Sequence, residues 1–143
     1  MRAAKLRVVK PSASYELMLP DDICEQSEGN VSSFWVQGGP LLLQLSSYLR
    51  AEGEQVPAET RLSERMVKHS EKWSTWKTNI YADPVVDQAT AHFTDENGTV
   101  WIHAYLVWPH LTVYATISGP EELTRNQNNW AVQGLRSIRL VRH

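Results

Sequence analysis

Five side chains in this sequence combine chemical capability with a spacing that could bring them together: His92, Trp101, His103, Tyr105 and Tyr114. They lie in the stretch 85–118, where apolar residues alternate. Two turn signals, Asp95-Glu96-Asn97-Gly98 and Trp108-Pro109-His110, divide that run into successive β-hairpins. With Asn97-Gly98 as a two-residue type I′ loop, one face pairs Phe93 with Ile102, Ala91 with Ala104, and Ala89 with Leu106. The opposite face pairs Thr94 with Trp101, His92 with His103, and Thr90 with Tyr105. Taking Pro109-His110 as the second loop extends these rows, so that Ala104 meets Ala115, His103 meets Thr116 and Tyr105 meets Tyr114. Two imidazoles facing across a ladder begin a metal site, but zinc needs three or four ligands. No acid or thiol joins that face in this register, so no metal, no cofactor and no catalytic set is expected. A three-residue loop with Gly98 in a bulge is the competing register; it slips the first hairpin by one residue and mixes the faces.

Other reactive residues stand alone. Cys24 has no histidine or base within its segment, and a nucleophilic thiol needs one. Asp21 and Asp22 are adjacent, so they cannot share a strand face as a carboxylate dyad. The Gly38-Gly39-Pro40 turn is too short for a phosphate cradle and lacks the lysine that would follow it.

The elements that must position the five side chains can be read in order. Residues 1–10 carry Arg2, Lys5, Arg7 and Lys10 and read as a short leading strand or a partly ordered tail. Tyr15, Leu17 and Leu19 share one side of a strand that ends at Pro20-Asp21-Asp22. A hairpin turns at Gly38-Gly39-Pro40, joining 31–37 to 41–49. A helix over 57–70 has Leu62, Met66 and His69 on one stripe and Glu59, Glu64 and Lys68 toward water, and should cover a sheet edge. A strand over 73–81 leads into the central hairpins. After Ser118 a helix is expected over 120–136, capped by Ser118 or Gly119, with Leu123, Gln127, Trp130, Ala131, Gly134 and Leu135 inward. Ala131 and Gly134 should let it approach a row of small residues, Ala91, Ala104 and Ala115. Residues 137–141 make a closing edge strand. The fold class expected is α+β, an antiparallel β-sheet of six to eight strands with two helices packed on one face or end.

At 143 residues the chain reads as a single domain, 1–143, with 1–12 as a partly ordered leading segment. Hydrophobic residues make up 42% and six tryptophans are present, enough for a sizeable core. Fourteen basic against sixteen acidic side chains leave no cationic excess to displace counterions, which argues against a nucleic-acid partner. The single cysteine fits a reducing compartment, and neither a leader nor an apolar span of membrane length is read, so the expected location is the cytoplasm.

The opening strand Tyr15–Pro20, the 34–36/43–45 hairpin, the helix after it, the 98–117 meander, the 120–135 helix and the 138–140 strand follow one another as in a known superfamily. In that element order the chain resembles the PsbP-like fold, shared by the PsbP subunit of photosystem II, a small Ran-binding nuclear import factor and many bacterial domains. The resemblance implies that fold and a non-enzymatic role; it carries no site residue across.

The function expected is therefore that of a protein-interaction domain, adaptor or immunity-like, acting through a sheet face or rim loops. Its candidate surface is Trp101, His103, Tyr105 and Tyr114, with His92. The bland alternative is that the face is roofed by the chain's own N-terminal hairpin, and self-association is a further use of such a face. The alternative is a small-ligand-binding or enzymatic domain with an aromatic and histidine-lined cup around His92, His103 and Tyr105, holding a small apolar ligand. On the alanine row, Ala104→Leu is expected to be among the most damaging substitutions, and His103→Leu to cost far less.

Overall fold

A computed structural model describes residues 5–49, 56–68, 74–75, 80–81, 83, 85–126 and 128–141. Among these residues ten strands and three helices run in the order β1 (Leu6–Val9), β2 (Tyr15–Pro20), β3 (Ile23–Glu28), β4 (Val31–Val36), β5 (Leu42–Leu49), α1 (Ala58–Lys68), β6 (Ser74–Thr75), β7 (Asp87–Thr94), β8 (Thr99–Val107), β9 (Leu111–Pro120), α2 (Glu121–Thr124), α3 (Trp130–Arg136) and β10 (Arg139–Leu140). The architecture is α+β. A seven-stranded antiparallel sheet in the order β3-β4-β5-β9-β8-β7-β6 packs with a three-stranded sheet, β1-β2-β10, and with helices. Of the strand expected over 73–81, only β6 and Ile80-Tyr81 fall among the described residues; His69, Gln127 and most of the 50–56 link lie outside them, as does the Lys68 side chain.

Alternation builds the main core. Tyr15, Leu17 and Leu19 of β2 point at the sheet, and Phe34, Leu43, Leu45, Ile102, Ala104, Leu106, Ala115 and Ile117 rise to meet them. From α3, Ala131, Val132 and Leu135 close the same layer. Each of these side chains is at most 1% exposed, and full burial of a Leu or Ile stabilises by about 1.5–3 kcal/mol. The C-terminal helix meets β2: a Cβ on Gly134 would collide with Leu19, so the absent side chain lets α3 lie close on that strand and not on the alanine row.

The second hairpin has the expected register, with Ile102 opposite Ile117, Ala104 opposite Ala115 and Tyr105 opposite Tyr114. The first hairpin does not. Ala91 faces His103, His92 faces Ile102 and Phe93 faces Trp101, one residue away from the type I′ expectation. The reason is local. Asp95 Oδ1 accepts from the N–H groups of Asn97 (2.9 Å) and Thr99 (3.0 Å), and Asp95 N donates to Thr99 O at 2.9 Å, closing a three-residue loop. Gly98 takes φ +80° in it, the left-handed position that such a loop reserves for glycine. Thr90, not Ala91, therefore completes the row with Ala104 and Ala115.

The long C-terminal helix is also divided. Asparagine side chains compete for backbone N–H groups and favour turns and caps over helix interiors. Asn126 Oδ1 accepts from Asn128 N at 3.0 Å, and Asn129 Oδ1 caps α3 by accepting from Val132 N at 2.7 Å. Pro120, and neither Ser118 nor Gly119, occupies the N-cap of α2, and Leu123, expected inward, is 42% exposed. The closing strand β10 pairs with β2, at an edge of the small sheet.

Candidate interaction face

The face of the main sheet opposite the core is set by register. Across β3, β4, β5, β9, β8 and β7 it carries one row of Cys24, Trp35, Leu42, Ser118, Trp101 and Phe93. The next row is Gln26, Ser33, Gln44, Thr116, His103 and Ala91; the third runs Glu28, Val31, Ser46, Tyr114, Tyr105 and Ala89. The one-residue slip of β7 decides its membership: His92 leaves for the core side and Phe93 arrives. The facing His92–His103 pair expected from the sequence is not formed. The cup proposed around His92, His103 and Tyr105 is divided between the two sides of the sheet. Among the described residues no cluster of three metal-ligating side chains occurs.

Helix α1 covers one part of this face. Its Ala58 and Leu62 are buried against Ala91, Tyr105, Val107 and Tyr114, and Asp87 Oδ2 accepts from Ala58 N at 2.9 Å, satisfying a donor of the first turn. Arg65, on the same stripe, places its guanidinium over the Tyr114 ring and donates from Nε to the Tyr105 hydroxyl at 2.8 Å. Tyr105 and Tyr114 stack with centroids 4.6 Å apart, and the Tyr114 hydroxyl is hydrogen-bonded to His103 Nδ1. Burial raises the Tyr114 phenol well above its ordinary pKa against the lowering pull of Arg65, so this tyrosine stays neutral. Among the described residues the roof is thus α1 and not the N-terminal hairpin, and it reaches over β7 and β8 to Tyr114 of β9, inside the sheet and not at the edge where the helix was expected.

The remainder is less covered. Trp35, Leu42, Gln44, Ser33, Thr116 and Trp101 are half-buried, and none carries a formal charge. The polar ones are held in a ladder: Gln44 Nε2 donates to Ser33 Oγ at 3.2 Å and Thr116 Oγ1 to Gln44 Oε1 at 3.5 Å. Trp101 lies nearly parallel to Phe93, at 9° and 6.4 Å, and its indole N–H donates to Asp95 Oδ2 at 3.1 Å. That bond, with the Thr99 and Asn97 amides, holds the Asp95 carboxyl below the ordinary carboxylate range. A groove of about 420 Å³, lined by Gln26, Glu28, Val31, Ser33 and Gln44, opens beside the ladder.

Of the five sequence candidates, then, Tyr105, Tyr114 and His103 are brought together but buried, Trp101 sits half-buried on the part that α1 does not cover, and His92 lies on the other side. Trp35, Gln44, Phe93 and Arg65 are candidate-face residues that lie outside those five. Arg65 follows Ala58 and Leu62 by seven and three residues, so its place on the inner stripe was available from spacing. Trp35 joins the face only through β5–β9 pairing, for which no local signal exists.

No protein-family model and no curated protein matches the sequence. The fold is similar to a crystal structure of a protein from Bacteroides thetaiotaomicron VPI-5482 determined at 1.50 Å resolution. The likeness covers 99% of this chain and 50% of that one, with a TM-score of 0.66 and 11% sequence identity. It is a likeness of fold: this chain is an α+β antiparallel-sheet protein resembling a bacterial structure, and it spans half that protein's length.

Proposed function

We propose that this chain is a non-catalytic protein-binding domain, adaptor or immunity-like, that works through the part of its sheet face left open by α1. The observation that carries this reading is the uncharged shelf of Trp35, Leu42, Gln44 and Trp101, half-buried beside a face that the chain otherwise roofs for itself. Tryptophan at the centre of a patch with amide and hydroxyl groups around it is the composition of interface anchors, because an indole gives large contact area at low conformational cost. The PsbP-like element order and residence in the cytoplasm belong to the same proposal.

The test is partner capture by crosslinking in the native cell, followed by reconstitution of the captured protein with purified wild-type, Trp35→Ala and Trp101→Ala chains. Loss of binding of at least tenfold in either variant, about 1.4 kcal/mol, supports the reading. Unchanged affinity in both, with circular dichroism confirming the fold, overturns it.

A further inference from the structure

We propose that β3 is a docking edge, on which an extended, basic segment of a partner protein adds as a further antiparallel strand of the main sheet. This rests on the protein-binding reading above and specifies the mode and the chemistry of the partner.

β3 is the terminal strand of the seven-stranded sheet. Gly29 at φ +62° followed by Asn30 at negative φ makes a two-residue type II′ loop, with Glu28 and Val31 as its closing pair. In such a hairpin the closing pair exchanges both hydrogen bonds and the next pair exchanges none. Glu28, Gln26 and Cys24 therefore bond to β4, whereas the backbone groups of Ser27, Glu25 and Ile23 point outward. A second contact marks the same row: Arg7 Nη2 reaches the Ile23 carbonyl at 3.4 Å from outside the sheet. Among the described residues nothing occupies the N–H and C=O groups of Glu25 and Ser27. Residues 25–28 are exposed, the β3–β4 register is unbroken by a bulge, and no proline blunts the edge. Such a row is a template for strand addition.

Charge selects the occupant. Residues 21–28 carry Asp21, Asp22, Glu25 and Glu28 and no base, and among the described residues only Arg7 answers them, 3.8 Å from Glu25. Pairing with a second copy would set Glu25 and Glu28 of one β3, with the Asp21-Asp22 turn beside them, against the same acids of the other, and like charges opposed across a ladder repel. A basic strand is complementary. On the side of Cys24, Gln26 and Glu28 its alternate side chains fall beside the groove of about 420 Å³, where the Glu28 carboxylate meets a lysine or arginine head and the Ser33–Gln44 ladder meets its stem.

The probe is the peptide acetyl-Lys-Thr-Lys-Val-Lys-Thr-Lys-amide, titrated into the full ¹⁵N-labelled chain. Amide shifts should map to residues 23–28, and exchange at the Glu25 and Ser27 amides should slow by about tenfold. A twin N-methylated at alternate residues, or one with Glu in place of Lys, should not bind. Ser27→Pro removes an outward N–H that β4 does not use, so the fold is kept and the peptide is lost. Glu28→Lys should weaken it, and serves if Ser27→Pro does not fold. Binding of the N-methylated twin, an unaffected Glu28→Lys chain, or no binding of the basic peptide at millimolar concentration overturns the proposal. So does a dimer that protects the same amides without peptide, which would assign the edge to a second copy. Peptide shifts confined to Trp35 and Trp101 with unprotected edge amides would sink strand addition and leave the open-face reading standing. Edge protection unchanged by Trp35→Ala and Trp101→Ala supports strand addition, and the open-face reading then stands or falls on the affinity of the captured partner for the same variants.

Discussion

The Arg65 guanidinium carbon lies 4.0 Å from the centroid of the Tyr114 ring, joining α1 to the centre of the sheet by a cation held over an aromatic face. Arg65→Ala should therefore do more than remove a surface charge. It deletes the cation–π contact, worth about 0.5–2 kcal/mol, and takes the donor from the Tyr105 hydroxyl. We expect a loss of about 1–3 kcal/mol in urea denaturation, with hydrogen exchange rising first in residues 58–66. A variant as stable as wild type would show that the packing of Ala58 and Leu62 and the Asp87 cap hold α1 without Arg65.

Ala104 and His103 are neighbours on β8 that face opposite sides, and both are buried. Ala104→Leu overpacks the main core against Ala115 and should cost about 1–3 kcal/mol. His103→Leu withdraws a partner from the buried Tyr114 hydroxyl, a cost also of about 1–3 kcal/mol. The small effect expected for His103→Leu from the sequence is thus replaced by a comparable one. The check is a double-mutant cycle with Tyr114→Phe. The two losses should be clearly sub-additive, and simple additivity would mean that the His103–Tyr114 contact contributes nothing.

Asp95 has a folded pKa below its ordinary value, with the Trp101 indole as the first cause. The sign follows from linkage: this group's contribution is complete above the unfolded carboxylate pKa and is lost as pH falls through the folded one. Acid titration followed by NMR should move the Trp101 indole N–H resonance together with the Asp95 carboxyl carbon. In Asp95→Asn that indole shift should be flat. An indole resonance that ignores pH in the wild-type chain would refute the link.

Burial raises the phenols of Tyr15 and Tyr114, so the unfolded chain releases protons that the folded chain keeps. Stability should hold below pH of about 10 and fall as pH rises beyond it. Tyr114→Phe should make the alkaline limb shallower in denaturation measured between neutral and strongly alkaline pH. An unchanged limb would remove Tyr114 from the account.

Asn129 caps α3 through Val132 N and ties it back to α2 through Leu123 O at 2.8 Å. Asn129→Ala should cost about 0.5–2 kcal/mol, whereas Asn129→Asp should keep most of the cap. Thermal denaturation of the pair separates capping from bulk: equal losses in both would count against the cap.

What could be read from the chain alone was whatever depends on neighbours in sequence. The alternation of Tyr15, Leu17 and Leu19, the turn at Gly38-Gly39-Pro40 and the tight return at Trp108-Pro109-His110 are written in windows of a few residues, and so β8 and β9 fall into register without reference to the rest. The α+β class follows from those pieces and their order. Between two loops of nearly equal local merit at Asp95-Glu96-Asn97-Gly98, the choice went to the one in which Asp95 also reaches the Trp101 indole, a partner present only once the strands have paired. That single slip sent His92 to the core side and brought Phe93 to the face. The asparagines of 126–129 were visible, but their preference for capping over helix continuation shows only when α2 and α3 dock separately. The face itself is a tertiary object. Trp35 and Trp101 share it because β5 pairs with β9 across some seventy residues of chain, and Tyr105 and Tyr114 are hidden because α1 folds back over them. Residue type decides what a side chain can do; which side of a sheet it occupies, and what covers it, is set by contacts between segments that carry no local record of one another.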